Sequence, residues 1–328
     1  REVTTFKEAH TVHEDFEDAE RQVLEAIEIY RKFFDELGIP YVISKRPEWD
    51  KFAGALYTIA FDTLLPDGKT LQIGTVHNLG QNFTRVFEVR IQKRDETIDY
   101  AWQTSYGISE RVIASVIAIH GDSKGLVLPF KIAPYQVVIV PIFREQDRDK
   151  VTNYAMRIAK ELSDKGLRVY VDLRDDVRPG EKFYYWDTKG APIRIDVGPK
   201  EVNESSVTIV RRDNGEKVKA KANEVYEKII ELGKRIDVEL RERAWEAFKS
   251  RFKRFTGIDK AKKFLEGGGI VEIPWCGNDS CAHQIADELG AEALGTPVTA
   301  IEKIEVKGQK CPICGKDAVT YMRYSRRY

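Results

Sequence analysis

The sequence predicts a multidomain protein that mixes α/β and α+β architecture, and three observations carry that prediction. Residues 52–92 hold short strand-like runs broken by turns, the pattern of an antiparallel meander. Residues 133–235 alternate wholly apolar strands with helical stretches, which implies parallel βαβ units with both sheet faces covered. All four cysteines fall in the last quarter as two close pairs, which points to a small module built around a metal. At 328 residues the chain exceeds one ordinary domain. The divisions expected are 1–132, 133–235 and 236–328.

Composition narrows the function classes. Fifty-three basic and fifty-three acidic residues cancel, so bulk charge does not hold this chain on nucleic acid, although a local basic face is still allowed. No apolar run reaches the ~18 residues of a membrane helix, and no signal peptide is visible. The first residue is Arg1 rather than Met, and REVTTF reads like the inside of a strand, so a fragment is expected.

Taken in order, Arg1 to Thr11 alternates as a strand, which puts Glu8 and His10 on one side, either converging on a small ligand or paired on an exposed edge. Asp15 to Leu37 repeats Phe16, Ala19, Val23, Ile27, Tyr30 and Phe34 at helical spacing, and Gly38 and Pro40 end it. YVISKR is a strand. FAGALYTIAFDTLL, the turn PDGK, TLQIGTVHNLGQNF and FEVRI make the meander. Its second strand carries Gln72, Gly74, Thr75 and His77, poor choices for a purely structural sheet; a lone histidine there can also be a satisfied core residue. Gly74 is expected to let the backbone approach a ligand.

A strand at 100–105 is expected to break at Gly107, with Ser109 capping an almost wholly apolar, buried helix. Arg111 sits in its first turn, and a buried arginine needs either a structural carboxylate or an anionic ligand. From Ala133 the rhythm changes to YQVVIVPIF, a helix over 145–165, LRVYVDLR, a short helix over 183–189, PIRIDVGP and VTIVRR. Lys182, Lys189 and Arg194 with their neighbouring aromatics suit either base stacking or a solvated helix face around a core Trp186. Residues 225–255 read as one long charged helix ending in the basic string FKSRFKRF. Cys276 and Cys281, then the tight Cys311-Pro-x-Cys314-Gly turn, suit a four-thiolate zinc site; reduced core thiols are the alternative, and His283 is a spare ligand.

These strings resemble a known family. GISERVIASVIAIHGDSKGLVLP resembles motif 3 of class II aminoacyl-tRNA synthetases, and most closely that of prolyl-tRNA synthetases. REVTTFKEAHTVH resembles the end of motif 2, with Ala9 for the usual Gly and Phe6 near a position that is often Trp. QIGTVH with LGQNF resembles the segment that holds ATP, with Val76 where Ser is common, and RPGEKFYYWDTKGAPIRIDVGPKEV looks like the shared anticodon-binding domain.

The resemblance implies a partial antiparallel class II synthetase catalytic domain, an α/β anticodon-binding domain and a small α+β zinc-binding domain. It implies ATP contacts at Arg111, Gln72, Thr75 and Glu2, and a proline pocket at Phe6, Glu8, His10, His77, Ser105 and Gly107. It implies tRNA contacts at Lys182, Lys189 and Arg194, zinc on Cys276, Cys281, Cys311 and Cys314, and a C-terminal Tyr328 turned toward the active site. The implied reaction joins L-proline to tRNA(Pro) through a prolyl adenylate, with ATP and Mg²⁺, in a cytoplasmic homodimer once the N-terminal part is present. The rival reading is a noncatalytic tRNA-binding paralogue.

Overall fold

The computed structural model describes residues 4–328. Its first stretch runs β1 (Phe6–His13), α1 (Phe16–Glu36), β2 (Val42–Lys45), β3 (Tyr57–Leu64), β4 (Thr70–Gly80), α2 (Asn82–Val86), β5 (Arg90–Gln92), β6 (Ile98–Tyr100), β7 (Trp102–Ser109) and α3 (Arg111–His120). The middle runs β8 (Val137–Pro141), α4 (Arg148–Asp164), β9 (Val169–Val171), α5 (Pro179–Lys189), β10 (Ile193–Val197), α6 (Pro199–Asn203), β11 (Ser206–Arg211), β12 (Lys217–Lys221) and α7 (Val225–Ser250). The end runs β13 (Phe252–Arg254), α8 (Ile258–Glu266), β14 (Ile270–Trp275), α9 (Asp279–Leu289), β15 (Glu292–Pro297) and β16 (Thr320–Ser325).

The described residues form two compact units. One gathers residues 4–35, 39–115 and 245–328; the other gathers 36–38 and 116–244. In the first, a single nine-stranded sheet runs β1-β7-β4-β3-β2-β15-β16-β14-β13. The cysteine-bearing segment therefore extends the same sheet as the meander, through Thr296↔Lys45 and Pro297↔Ser44. Gly295 makes this junction possible. Its φ is +117°, and a Cβ there would lie 2.1 Å from the Lys45 carbonyl oxygen, so no L side chain fits.

Helix α1 covers one face of the sheet. Ala19, Val23, Ala26, Ile27, Tyr30 and Phe34 form its buried stripe, and the Phe34 ring lies 5.3 Å from Phe61. The larger of these, Val23, Ile27 and Phe34, each contribute roughly 1.5–3 kcal/mol on burial. A second core, Val271, Ile273, Ile285, Leu289, Met322 and Tyr324, joins α8 and α9 to the C-terminal strands.

Several expectations need correction. NFTRV is helical, as α2, rather than part of the meander. The strand at 102 does not stop at Gly107 but runs to Ser109, because both of its edges are paired, with β1 and with β4. Helix α3 is buried on one side only: Val112 and Val116 are inside, whereas Ile113 is 61% exposed. Helix α7 ends at Ser250, since Phe252–Arg254 pairs in parallel with β14 at the edge of the sheet.

In the second unit the sheet order is β12-β11-β10-β8-β9. Strands β9, β8 and β10 are parallel, but β11 and β12 run antiparallel, which the expected all-parallel pattern misses. The link from β10 to β11 holds only the five-residue α6, too short for a parallel crossover of about a dozen residues. Asp122, from the HGDSKG string, forms a two-pronged pair with Arg212 at 2.7 and 2.8 Å. That guanidinium holds the Asp122 carboxyl well below the usual carboxylate range.

Candidate active site and metal centre

Strand pairing aligns the chemistry-bearing residues in rungs. Glu8 pairs with Gly107, which pairs with Thr75; His10 pairs with Ser105, which pairs with His77. Strand β3 adds Ala60 opposite Thr75 and Thr58 opposite His77. Directly paired residues share a face, so four strands present one polar surface on the side away from α1. Gln72 would face the wrong way in a regular strand, three residues from Thr75. A bulge corrects this: Thr75 pairs with Ala60 and Gln72 with Asp62, and the ladder shifts between them. Alternation from Thr75 puts Gly74, opposite Phe61, on the α1 side. A Cβ there would meet Ile108 at 3.2 Å and Phe34 at 3.3 Å, so this glycine serves the core rather than ligand approach.

A cavity of about 320 Å³ opens on the polar face. Glu8, His10, His77, Gln103 and Ser105 line one side, and Phe52, Leu79, Phe83, Phe87 and Val89 the other. The Glu8 carboxylate lies 3.2 Å from His10 Nε2 and accepts a 3.4 Å bond from the Ser105 hydroxyl. An apolar pocket suits proline, but the residues of this wall were not singled out from the sequence. Phe83 stands in the quoted LGQNF string, but only the turn of α2 aims it inward. Phe6 pairs with Ser109 and lies outside the cavity, 57% exposed. Its ring packs on Gly107, where a Cβ would come within 2.8 Å.

His77 is held at both nitrogens, Nδ1 2.9 Å from Thr58 Oγ1 and Nε2 3.0 Å from Thr75 Oγ1. Thr58 already accepts the Phe52 N–H. A consistent assignment has Thr58 donating to Nδ1 and Nε2 donating to Thr75. Burial lowers the His77 pKa to about 4, so the ring is neutral at pH 7. The unfolded chain takes up this proton near the ordinary histidine value of 6.5 and the native chain only near 4. Its contribution is thus complete above 6.5 and lost as pH falls toward 4, at most about 3 kcal/mol. A His77→Gln variant is expected to lose that segment of the melting-temperature-versus-pH curve; superimposable curves would refute the assignment.

Arg111 opens α3, where its backbone N–H reaches Ser109 Oγ at 3.4 Å. Among the described residues its guanidinium forms no ion pair, and its position at a helix N-terminus suits an anion. Glu2 lies outside the described residues. Tyr328 packs along the β3–β4 turn, its N–H bonded to Thr70 O at 3.1 Å and its hydroxyl to Asp67. That is the Gln72 end of β4, several residues from His77.

In the second unit, two predicted tRNA contacts have their cations committed internally. Lys182 is buried and donates to Asp172 O at 3.0 Å. Arg194 is buried against Asp187 and Asp196, at 3.1 and 2.9 Å. Both side chains are buried, at 3% and 8% exposure, with these partners inside the unit. Lys189 is exposed, as is Tyr184, while Trp186 is core and donates to Asp172 Oδ2 at 2.8 Å.

Cys276, Cys281, Cys311 and Cys314 converge with all four sulfurs within 4.8 Å of one another. A tetrahedral zinc at about 2.3 Å from each sulfur needs edges of about 3.8 Å, so the donor set fits. Burial, with the neighbouring thiols, pushes Cys281 up to about 12, a penalty that a central cation would remove. His283 is not in the cluster; its ring stacks on Trp49 at 4.3 Å.

Comparison with known proteins agrees with this layout. Residues 1–120 match the tRNA synthetase class II core domain (G, H, P, S and T), 136–232 the anticodon binding domain, and 258–328 the C-terminal domain of prolyl-tRNA synthetase. The whole chain is 55% identical to a proline–tRNA ligase of Aeropyrum pernix. It is 52% identical to those of Ignicoccus hospitalis and Metallosphaera sedula. In each case it spans 68% of the relative's length. With three domain types in the family's order and this identity along its full length, the chain belongs to the proline–tRNA ligase family of class II aminoacyl-tRNA synthetases.

Proposed function

We propose that this chain carries the proline pocket, most of the nucleotide site and the tRNA-binding domain of an enzyme that joins L-proline to tRNA(Pro) through a prolyl adenylate. The observation that supports this most is the alignment of Glu8, His10, Ser105 and His77 around a small cavity walled by Phe52, Leu79 and Phe83. The Glu8 carboxylate suits a secondary ammonium, and the apolar wall suits an unsubstituted ring. Such a wall discriminates weakly between similar side chains, since one methylene is worth only about 1–3 kcal/mol.

Thr75 and Gln72 lie farther along the same face, and Arg111, with no ion pair among the described residues, stands just past the end of β7. In this reading a proline carboxylate oxygen attacks the α-phosphorus of ATP, the bond to the β-phosphate oxygen breaks, and pyrophosphate leaves. Catalysis then rests on in-line placement and charge neutralisation rather than on a protein nucleophile. Mg²⁺ would neutralise the triphosphate. Among the described residues the only three-or-more ligand cluster is the cysteine one, which fits an ion carried mainly on nucleotide oxygens. A terminal ribose hydroxyl of tRNA attacks the adenylate carbonyl and AMP leaves. Tyr184 and Lys189 replace Lys182 and Arg194 as the groups able to meet unstacked bases.

Amino-acid-dependent ATP–pyrophosphate exchange on the complete gene product tests the reading. Exchange supported best by proline is expected. No exchange with any amino acid, alongside retained tRNA binding, would favour a noncatalytic paralogue.

A further inference from the structure

Arg46 was not singled out from the sequence, yet it is one of the most enclosed cations in the first unit. It is 3% exposed, beside Asp62 at 1%. Each of its three guanidinium nitrogens lies near an acceptor. Nη1 donates to the Leu294 carbonyl oxygen, on β15. Nη2 donates to Asp62 Oδ1 at 2.8 Å and to Gln72 Oε1 at 2.9 Å. Nε lies 3.7 Å from Asp50. The second oxygen of Asp62 has no partner among the described residues. A stability-driven pairing would use both carboxylate oxygens in a fork. Here one guanidinium nitrogen is instead divided between a carboxylate and a neutral amide.

We infer that Arg46 is a positioning residue for the nucleotide: it fixes which end of the Gln72 amide faces the substrate. An amide has one acceptor end and one donor end. Because a guanidinium only donates, Oε1 must face Arg46, which leaves the two N–H bonds of Nε2 for acceptor atoms of the nucleotide. Without Arg46 the amide can turn over and present its carbonyl to an anion. The bond to Leu294 carries this further. The carbonyl that anchors Arg46 belongs to the strand that joins the cysteine module to the meander, so that module holds Arg46 in place. This inference rests on the reading of Gln72 as a nucleotide contact.

The test compares ATP–pyrophosphate exchange kinetics of three variants of the complete gene product. Removing Arg46 alone leaves Asp62 buried and uncompensated, which is enough to unfold a domain. The informative variant is therefore the pair Arg46→Met with Asp62→Leu, which removes both charges at similar volume. Its companions are Gln72→Ala and the triple variant. The pair is expected to raise the KM for ATP about tenfold, as loss of one oriented contact does. The KM for proline should stay within about twofold and the melting temperature close to wild type. The triple variant should be no worse than Gln72→Ala, since residues acting as one unit are non-additive.

A folded pair variant with an unchanged KM for ATP overturns the inference while leaving the Gln72 reading intact. An unchanged KM for ATP in Gln72→Ala overturns that reading, and the inference with it. Equal rises for ATP and proline, with a lowered melting temperature, would mean that Arg46 is structural only.

Discussion

Arg111→Ala is expected to lower proline-dependent ATP–pyrophosphate exchange by about 10²–10³-fold, the usual consequence of removing one preorganised donor to developing charge. Two features of the site make the prediction specific. The residue begins α3, so the helix N-terminus and the guanidinium favour the same anion. Among the described residues the guanidinium forms no ion pair, so truncation breaks no structural bridge, and the melting temperature should stay close to wild type. Lysine at this position is expected to recover only part of the activity, since it keeps the charge but not the planar fork. Full exchange activity in Arg111→Ala would remove this residue from the nucleotide site. Lost activity with a collapsed melting temperature would reassign it to structure.

Loss of the metal is the second large effect. Cys311 is 1% exposed, and its replacement by Ser, or chelation of the wild type, is expected to cost on the order of 4 kcal/mol or more. The apolar core of Ile273, Ile285, Leu289 and Met322 remains, so the module should loosen rather than vanish. The checks are metal content by elemental mass spectrometry, expected at one zinc per chain, and thermal melting with and without chelator. A metal-free protein that melts with the zinc-loaded one would refute a structural ion.

What could be read from the sequence was local. Glu8 and His10 share a face because alternation in a strand needs only their own positions. The cysteine cluster was legible because a two-residue gap fixes where both thiols point. Gln72 shows the opposite case. Its separation from Thr75 is odd, and only the bulge at Ile73, a property of pairing with β3, brings both to one surface. Lys182 and Arg194 read as exposed cations, but the burial that commits them depends on how α5 lies against β8 and β10. The course of β7 through Gly107 was likewise set by its two partner strands. The same holds for Arg46, which in the sequence is one basic residue in SKR, and whose partners lie at 62, 72 and 294.

The pairing of Lys45 with Thr296 has a consequence for how the protein is made. The two residues are about 250 positions apart, so the edge of β2 stays open until β15 has left the ribosome. At ordinary elongation rates of about 5–20 residues per second, that is a delay of roughly ten seconds or more. During it, Val42 and Ile43 present an unpaired apolar edge of the kind that templates misassembly. The second unit, with a sheet complete within residues 137–221, can fold meanwhile, whereas the nine-stranded sheet closes only after β15 and β16 are made.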